Sequence, residues 1–233
     1  MRGTAVRLIA GIAAAVGCSG LLIQLWLILQ KQDFGPGLWL FVGYFTILTN
    51  LLAAAVATGV ALGRRAWLSS ARARLMAATS ILMVGPVYSI ALRHVWSPTG
   101  LQKVADVALH DAAPLVWVAL WLLADHPRLS WREIWWALLL PAFYVVYAMA
   151  RGAVDGWYAY WFLNPAGQSP LELAVSILIL VCAFALMAAG LVAIDRRLAS
   201  RRRKSDLVVD EAGEDSFPAS DPPGWTLGAD RAD

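Results

Sequence analysis

Apolar residues in this chain gather into runs of about 20 that are apolar on every side, without a period-two alternation. A run of that length matches the roughly 30 Å of hydrocarbon that a helix must cross. Six such runs predict helices over residues 6–29, 38–62, 75–95, 104–124, 134–150 and 171–194. Helices are the expected form because lipid offers the backbone no partners, so each segment must satisfy its own N–H and C=O groups. A transmembrane barrel would instead need shorter segments of alternating polarity. The expected fold class is all-α: a polytopic membrane protein with a six-helix transmembrane bundle over residues 1–198. A basic juxtamembrane segment and a disordered acidic tail are expected over residues 199–233.

Composition supports the same class, since 60% of residues are apolar and 15% charged, against roughly 25% charged in an ordinary soluble domain. Charge then gives direction, because short cytoplasmic loops collect Lys and Arg. Arg2 and Arg7 precede the first run, Arg64, Arg65, Arg72 and Arg74 fill the second connection, and Arg128 and Arg132 the fourth. Arg196, Arg197, Arg201, Arg202, Arg203 and Lys204 follow the last run, whereas the opposite side carries Lys31, Arg93, Lys103 and Arg151. Both termini are therefore expected in the cytoplasm of a multi-pass protein of the cell (plasma) membrane. The first run continues past Cys18 to Leu29, longer than a signal-peptide core, so it is read as a span. Cys18 and Cys182, the only cysteines, fall inside spans and are expected as buried thiols, without a disulfide framework or cysteine metal site. The basic cluster after the last run is read as a headgroup contact. Membrane lipids are thus the expected partners, and nucleic acid is not. Most of the twelve Trp are assigned to an interfacial belt, and His126 to an ordinary cytoplasmic turn.

Polar residues inside spans are costly and have a partner or a purpose. The second span carries Thr46, Thr49 and Asn50 on one helix face. The fourth carries Asp106 and His110 one turn apart, with Asp111 further round; the third ends in Tyr88, Arg93 and His94, and the fifth carries Tyr144 and Tyr147 and ends in Arg151. With the spans oriented by their basic loops, all of these fall in the outer half of the bundle. They predict a half-buried cavity there, with the aromatic connection 156–165 as its roof. Asn50 alone suits a helix–helix hydrogen bond, while Arg93 and His94, near a span end, suit snorkelling.

A hydroxyl, an imidazole and a carboxylate can act as nucleophile, base and orienter on an ester: Thr49 or Thr46 attacking, His110 taking the proton, Asp106 holding the ring. Asn50, Arg93 or Tyr88 could stabilise the oxyanion, and Thr46, His94, Tyr147 and Arg151 complete the candidate substrate set. The same residues could serve a proton-coupled or small-molecule transporter, with Asp106, His110 and Arg151 on the ion path. A non-catalytic scaffold acting through the tail is a third reading.

The runs GYFTILTN at 43–50, MVGPVY at 83–88 with Leu92, Arg93 and His94, and LHDAAP at 109–114 resemble the androgen-induced and androgen-dependent TFPI-regulating membrane proteins. Pro141, Tyr144, Tyr147, Arg151, Gly152 and the residues 156–158 look like the bacterial branch of that group. The likeness covers roughly residues 7–194. It implies a six-helix hydrolase of lipid esters, such as fatty-acid esters of hydroxy fatty acids, with an intramembrane Thr nucleophile and a His base. No metal or organic cofactor is implied. Residue by residue, the family's His matches His110, followed by Pro114, and its Thr matches Thr49 in the pair Leu48-Thr49, with Thr46 the alternative three residues earlier. Asp111 stands where eukaryotic members carry a hydroxyl residue.

Overall fold

The computed structural model describes residues 2–63 and 67–216, and all regular structure among them is helical. Five helices are long and apolar enough to cross a membrane, and six spans result when one bent pair is taken as a single crossing. Helix α1 (Arg2–Leu29) is the first span, and α2 (Phe34–Phe41) with α3 (Phe45–Ala61) forms the bent pair. Helix α4 (Ala71–Val87) runs on into a π-helical turn, Tyr88–Leu92. Helices α5 (Gly100–Val107) and α6 (Ala113–Leu123) are joined by a second π-helical turn, Ala108–Ala112. Helices α7 (Ile134–Asp155) and α8 (Pro170–Ser216) complete the bundle.

Helix α4 is the hub. Of its most apolar stretch 56% is buried, against 22% for α8, and it packs on α3, α6, α7 and α8. Ala73, Ala77, Ala78 and Ser80 let its neighbours approach closely, which is how membrane helices gain packing energy when lipid is as apolar as their side chains. Val56 and Ala57 of α3, Trp117 and Leu120 of α6 and Val192 of α8 close around it. The outside is a coat of exposed Leu22, Trp26, Leu115, Phe143, Val146, Ile179 and Leu186, a surface suited to lipid rather than water. Cys18 and Cys182 belong to this exposed face, contrary to the expectation of buried thiols, because both sit on the outward side of their helices. Trp117 and Trp121 are core residues and no part of an interfacial belt.

The expected continuous second span, residues 38–62, is broken: α2 and α3 meet at 82°. The break has a physical cause in α7. Arg151 is buried, and its guanidinium donates to the Trp39 carbonyl at 2.7 Å and to Asp155 Oδ2 at 3.1 Å. The Trp39 and Trp157 rings lie 4.3 and 4.5 Å from it, close enough for cation–π attraction. Asp155 is itself held by Trp39 Nε1 at 2.8 Å and the Trp157 N–H at 2.9 Å. A cation at the C-terminal end of α2 also meets the negative end of its dipole. This assembly fills the space beside Gly43, where an added Cβ would lie 2.1 Å from the guanidinium and 2.6 Å from the Trp157 ring.

Helix α8 continues past the expected end at residue 194. Its 47 residues span about 70 Å at 1.5 Å per residue, more than the ~45 Å of a whole bilayer. Arg196, Arg197, Arg201 and Arg203 are therefore carried on helix, and helix also covers residues 199–216 of the segment expected to be a basic stretch and disordered tail. The tail residues 217–233, like Arg64 and Arg65, lie outside the described residues. The same end of the bundle is tied by His126, which is buried and donates from Nδ1 to Asp195 Oδ1 at 2.9 Å. Asp195 Oδ2 also accepts the Leu129 N–H at 2.6 Å. His126 is thus an internal staple between the α6–α7 turn and α8 rather than a surface residue.

Gly43→Ala should lower stability by about 1–3 kcal/mol, the usual cost of forcing an extra methyl into packed surroundings. Unfolding of the purified protein in detergent, followed by circular dichroism against wild type, measures it; an unchanged midpoint would contradict the close approach.

Candidate active site

Thr46 is the second residue of α3, directly after the break, and is half-buried. Its Oγ1 lies 3.3 Å from His110 Nε2. On the other side of the ring, His110 Nδ1 lies 3.0 Å from the Asp106 carbonyl and 3.2 Å from Asp106 Oδ1. Both groups near Nδ1 are acceptors, so the ring hydrogen belongs on Nδ1 and the Nε2 lone pair faces the hydroxyl. That tautomer is the one a general base needs. Asp106 is buried, and its second oxygen accepts a 2.7 Å bond from the Tyr88 hydroxyl. The Tyr88 ring stacks on the imidazole with centroids 3.9 Å apart, leaving His110 fixed in plane and in tilt.

Local sequence explains how α4 and the fourth span bring these groups together. Pro86 and Pro114 lack an N–H, so the carbonyls four residues earlier, Leu82 and His110, lose their α-helical donor. The π turns Tyr88–Leu92 and Ala108–Ala112 begin two residues after the first proline and end two before the second. Such single wide turns concentrate at functional sites because they re-aim side chains within an otherwise regular helix. Here one carries Tyr88 and the other His110. Gly85 lets them meet, since a Cβ there would come within 3.2 Å of the His110 carbonyl.

Asn50 sets the distance between Thr46 and His110. It is fully buried, and its Nδ2 donates to the Thr46 carbonyl at 2.9 Å and to the Leu109 carbonyl at 3.4 Å. Both partners are acceptors, which settles the orientation of the amide. One bond goes to Thr46 itself and the other to the neighbour of His110. Asn50 is therefore occupied as a positioning residue and is not free to meet an oxyanion.

The remaining candidates divide. Thr49, preferred in the sequence reading, is fully buried one turn deeper in α3, and its hydroxyl has no hydrogen-bond partner among the described residues; it is Thr46 that meets His110. The three-residue spacing keeps both threonines near one face, and only the position of the break distinguishes them. Tyr88 gives its hydroxyl to Asp106, and Arg93 pairs with Asp111 and lies over the Tyr88 ring. Arg93 is exposed, so neither is free to meet an oxyanion. His94 is exposed in the following turn and joins none of these contacts. Tyr147 is within 3.4 Å of the Arg151 guanidinium. These two belong to the Trp39–Trp157 assembly and not to the Thr46–His110 pair.

Thr46 and Tyr88 open on a cavity of about 440 Å³ lined almost wholly by apolar side chains. Its walls are Met83, Val84 and Val87 of α4, Leu138, Leu139 and Val145 of α7, Ile177, Leu180 and Phe184 of α8, and Tyr160 and Leu163 of the connection. The exposed lining residues Trp135, Leu139, Ala142 and Val181 give it a side mouth between α7 and α8. The connection 156–165, expected as a roof, does close one end: Tyr160 and Leu163 are buried there. Tyr160 was not among the candidates, because an aromatic in an aromatic-rich loop reads as an interface anchor. Comparison of the chain with known protein families, with curated proteins and with solved structures gives no match.

Asn50→Ala should cost about 1–2 kcal/mol through the loss of two interhelical or carbonyl bonds in a buried setting. Unfolding titrations with sodium dodecyl sulfate in mixed micelles check this, and Asn50→Asp, which cannot donate to two carbonyls, should not recover the loss.

Proposed function

We propose that this chain is an intramembrane hydrolase of lipid esters, with Thr46 as nucleophile, His110 as general base and Asp106 as the group that holds the imidazole. The observation that carries the reading is the chain of contacts from Thr46 Oγ1 to His110 Nε2 and from Nδ1 to Asp106, opening on an apolar cavity. The Thr46–His110 separation of 3.3 Å is the slightly long hydrogen bond usual for a nucleophile and base without substrate. A cavity of about 440 Å³ lies within the size range of small-ligand sites, and its few polar groups gather at one end.

An ester with a long acyl chain matches that layout. Between Tyr144, near Thr46, and Trp135 the cavity follows α7 for nine residues, about 14 Å of helix at 1.5 Å per residue. The acyl chain would enter through the side mouth between α7 and α8 directly from lipid, leaving the ester carbonyl at Thr46. Thr46 Oγ1 then bonds to the carbonyl carbon as its proton passes to His110 Nε2, and the carbonyl π pair moves onto oxygen. Collapse of that adduct returns the pair, expels the alcohol with the proton from His110, and leaves an acyl-Thr46 ester. Water attacks this ester by the same route, releasing the acid and restoring the hydroxyl. Tyr88, bonded to Asp106 and stacked on His110, steadies the base throughout. The spacing of basic loops puts the termini in the cytoplasm and the site in the outer half of a plasma-membrane protein. The resemblance to the androgen-induced and androgen-dependent TFPI-regulating family points to the same activity and substrate class.

The transporter alternative gains one observation, the broken span, since transporters often place half-helix ends at a substrate. It loses the ion path: Arg151 is committed to Trp39 and Asp155, and no charged side chain lines the cavity at Thr46.

A fluorophosphonate probe applied to membranes holding the protein should label Thr46. Thr46→Ala and His110→Ala should each abolish the label and lower ester turnover at least about 10³-fold, whereas Thr49→Ala should keep both. Label and turnover that survive in the first two variants would sink the assignment. For orientation, a cysteine introduced at Tyr158 should react with a membrane-impermeant maleimide from outside intact cells; reaction only after lysis would reverse it.

A further inference from the structure

The proposed reaction develops a negative charge on the carbonyl oxygen, and inside an apolar cavity that charge must be met by donors already in place. The donors first considered, Asn50, Arg93 and Tyr88, are all committed elsewhere. The break in the second span supplies others. As the first two residues of α3, Phe45 and Thr46 have backbone N–H groups with no helical acceptor, and the N-cap Tyr44 gives no side-chain bond. The first backbone bonds onto this helix start run from Ile47 and Leu48 to the Tyr44 carbonyl. Tyr144 donates to the Gly43 carbonyl at 2.9 Å, and its oxygen sits beside the Phe45 N–H. The Tyr160 hydroxyl comes up to the Thr46 side chain and to the Phe45 and Thr46 backbone. Tyr160 is buried and lines the cavity beside Thr46.

We infer that Tyr160 is a catalytic residue, donating its hydroxyl hydrogen to the oxyanion formed when Thr46 adds to the ester. This rests on the hydrolase reading above. As Thr46 Oγ1 bonds to the carbonyl carbon, the C=O π pair becomes a lone pair on oxygen facing the phenol. No proton leaves Tyr160: it gives a hydrogen bond, which is released when the pair returns to re-form the carbonyl and the alcohol departs with the proton from His110. The phenol suits the task because burial raises it above the ordinary tyrosine range, the Thr46 side chain and the helix start pulling the other way, so it remains a protonated donor at neutral pH. The dipole of α3 adds a positive end at the same point. Tyr160 comes from the connection and Thr46 from the broken span, so docking of the loop on the bundle completes the site.

The test is Tyr160→Phe in the full chain, reconstituted in vesicles and assayed on a long-chain p-nitrophenyl ester beside wild type and Thr46→Ala. The expected result is a kcat lower by about 10²–10³-fold with KM little changed, as for loss of one oxyanion donor. Affinity for a long-chain trifluoromethyl ketone, which forms a tetrahedral oxyanion on the nucleophile, should fall by about 10²-fold, while affinity for the matching methyl ketone stays at the wild-type level. Equal losses for both ketones, or a raised KM with kcat kept, would mark a role in shaping the cavity and overturn the inference. If Thr46→Ala abolishes turnover and Tyr160→Phe retains it, only this inference fails. If Thr46→Ala retains turnover, the hydrolase reading fails and takes this inference with it.

Discussion

A helix broken within a bundle that faces lipid leaves backbone groups that no water is at hand to satisfy, and the bend between α2 and α3 is the point where this protein meets that constraint. On the carbonyl side α7 supplies two donors. Arg151 reaches the Trp39 carbonyl and Tyr144 the Gly43 carbonyl, both from α7, and the charge of Arg151 is answered by Asp155 and two indole faces. Each unsatisfied group would cost several kcal/mol in hydrocarbon, so α7 cannot be separated from the break that it caps. On the amide side the solution is partial: the start of α3 presents N–H groups to two tyrosine hydroxyls. Thr46 sits at that start, which makes the break the origin of both its position and its electrostatic surroundings.

The second constraint is the carboxylate of Asp106, buried beside an apolar cavity. A lone charge there would be unstable, and the cluster answers it with one hydrogen bond from Tyr88 and one from His110. These bonds fix the imidazole tautomer as a by-product. A second ion pair, Arg93 with Asp111, stands on the exposed side of the same two π turns, where screening leaves little net energy in it. Its effect is to clamp the ends of the two turns together and to lay the guanidinium over the Tyr88 ring. Asp106, Tyr88 and His110 therefore hold one arrangement, and a base with one arrangement is what nucleophile activation requires.

Helix number and spacing were legible in the sequence because lipid imposes a length: the apolar runs at 6–29, 75–95, 104–124 and 134–150 coincide closely with helices. The pairing of His110 with Asp106 was also legible, being a matter of one helical turn. The break was not. Gly43 and Tyr44 are unremarkable inside an apolar run, and the cause of the bend lies more than a hundred positions away at Arg151, which the sequence offered as a substrate or ion-path residue. Which of Thr46 and Thr49 meets His110 depends on that break. Asn50 was read correctly as a helix bonder, although its two partners needed the fold. Pro86 and Pro114 were visible signals of the π turns and could have suggested that Tyr88 and His110 are re-aimed toward each other.

Polarity in the cavity is graded: apolar along α7 and α8, with the hydroxyl-bearing side chains of Thr46, Tyr144 and Tyr160 toward the break. A fully polar lipid headgroup gains nothing in the apolar length, and a hydrocarbon gains nothing at the polar end. A molecule with a long apolar part joined to a polar, hydrogen-bond-accepting linkage satisfies both, and under the proposed reading that linkage comes to rest at Thr46. Orientation of such a substrate therefore needs no charged anchor, which fits a lining without charged side chains. Nine residues of α7 separate the Trp135 end from Tyr144, so selectivity for chain length would be set by packing at Trp135, Leu138 and Leu139. One methylene in an apolar pocket is worth about 1–3 kcal/mol of discrimination. A cavity built this way discriminates chain length at its far end and leaves the chemistry at the break unchanged.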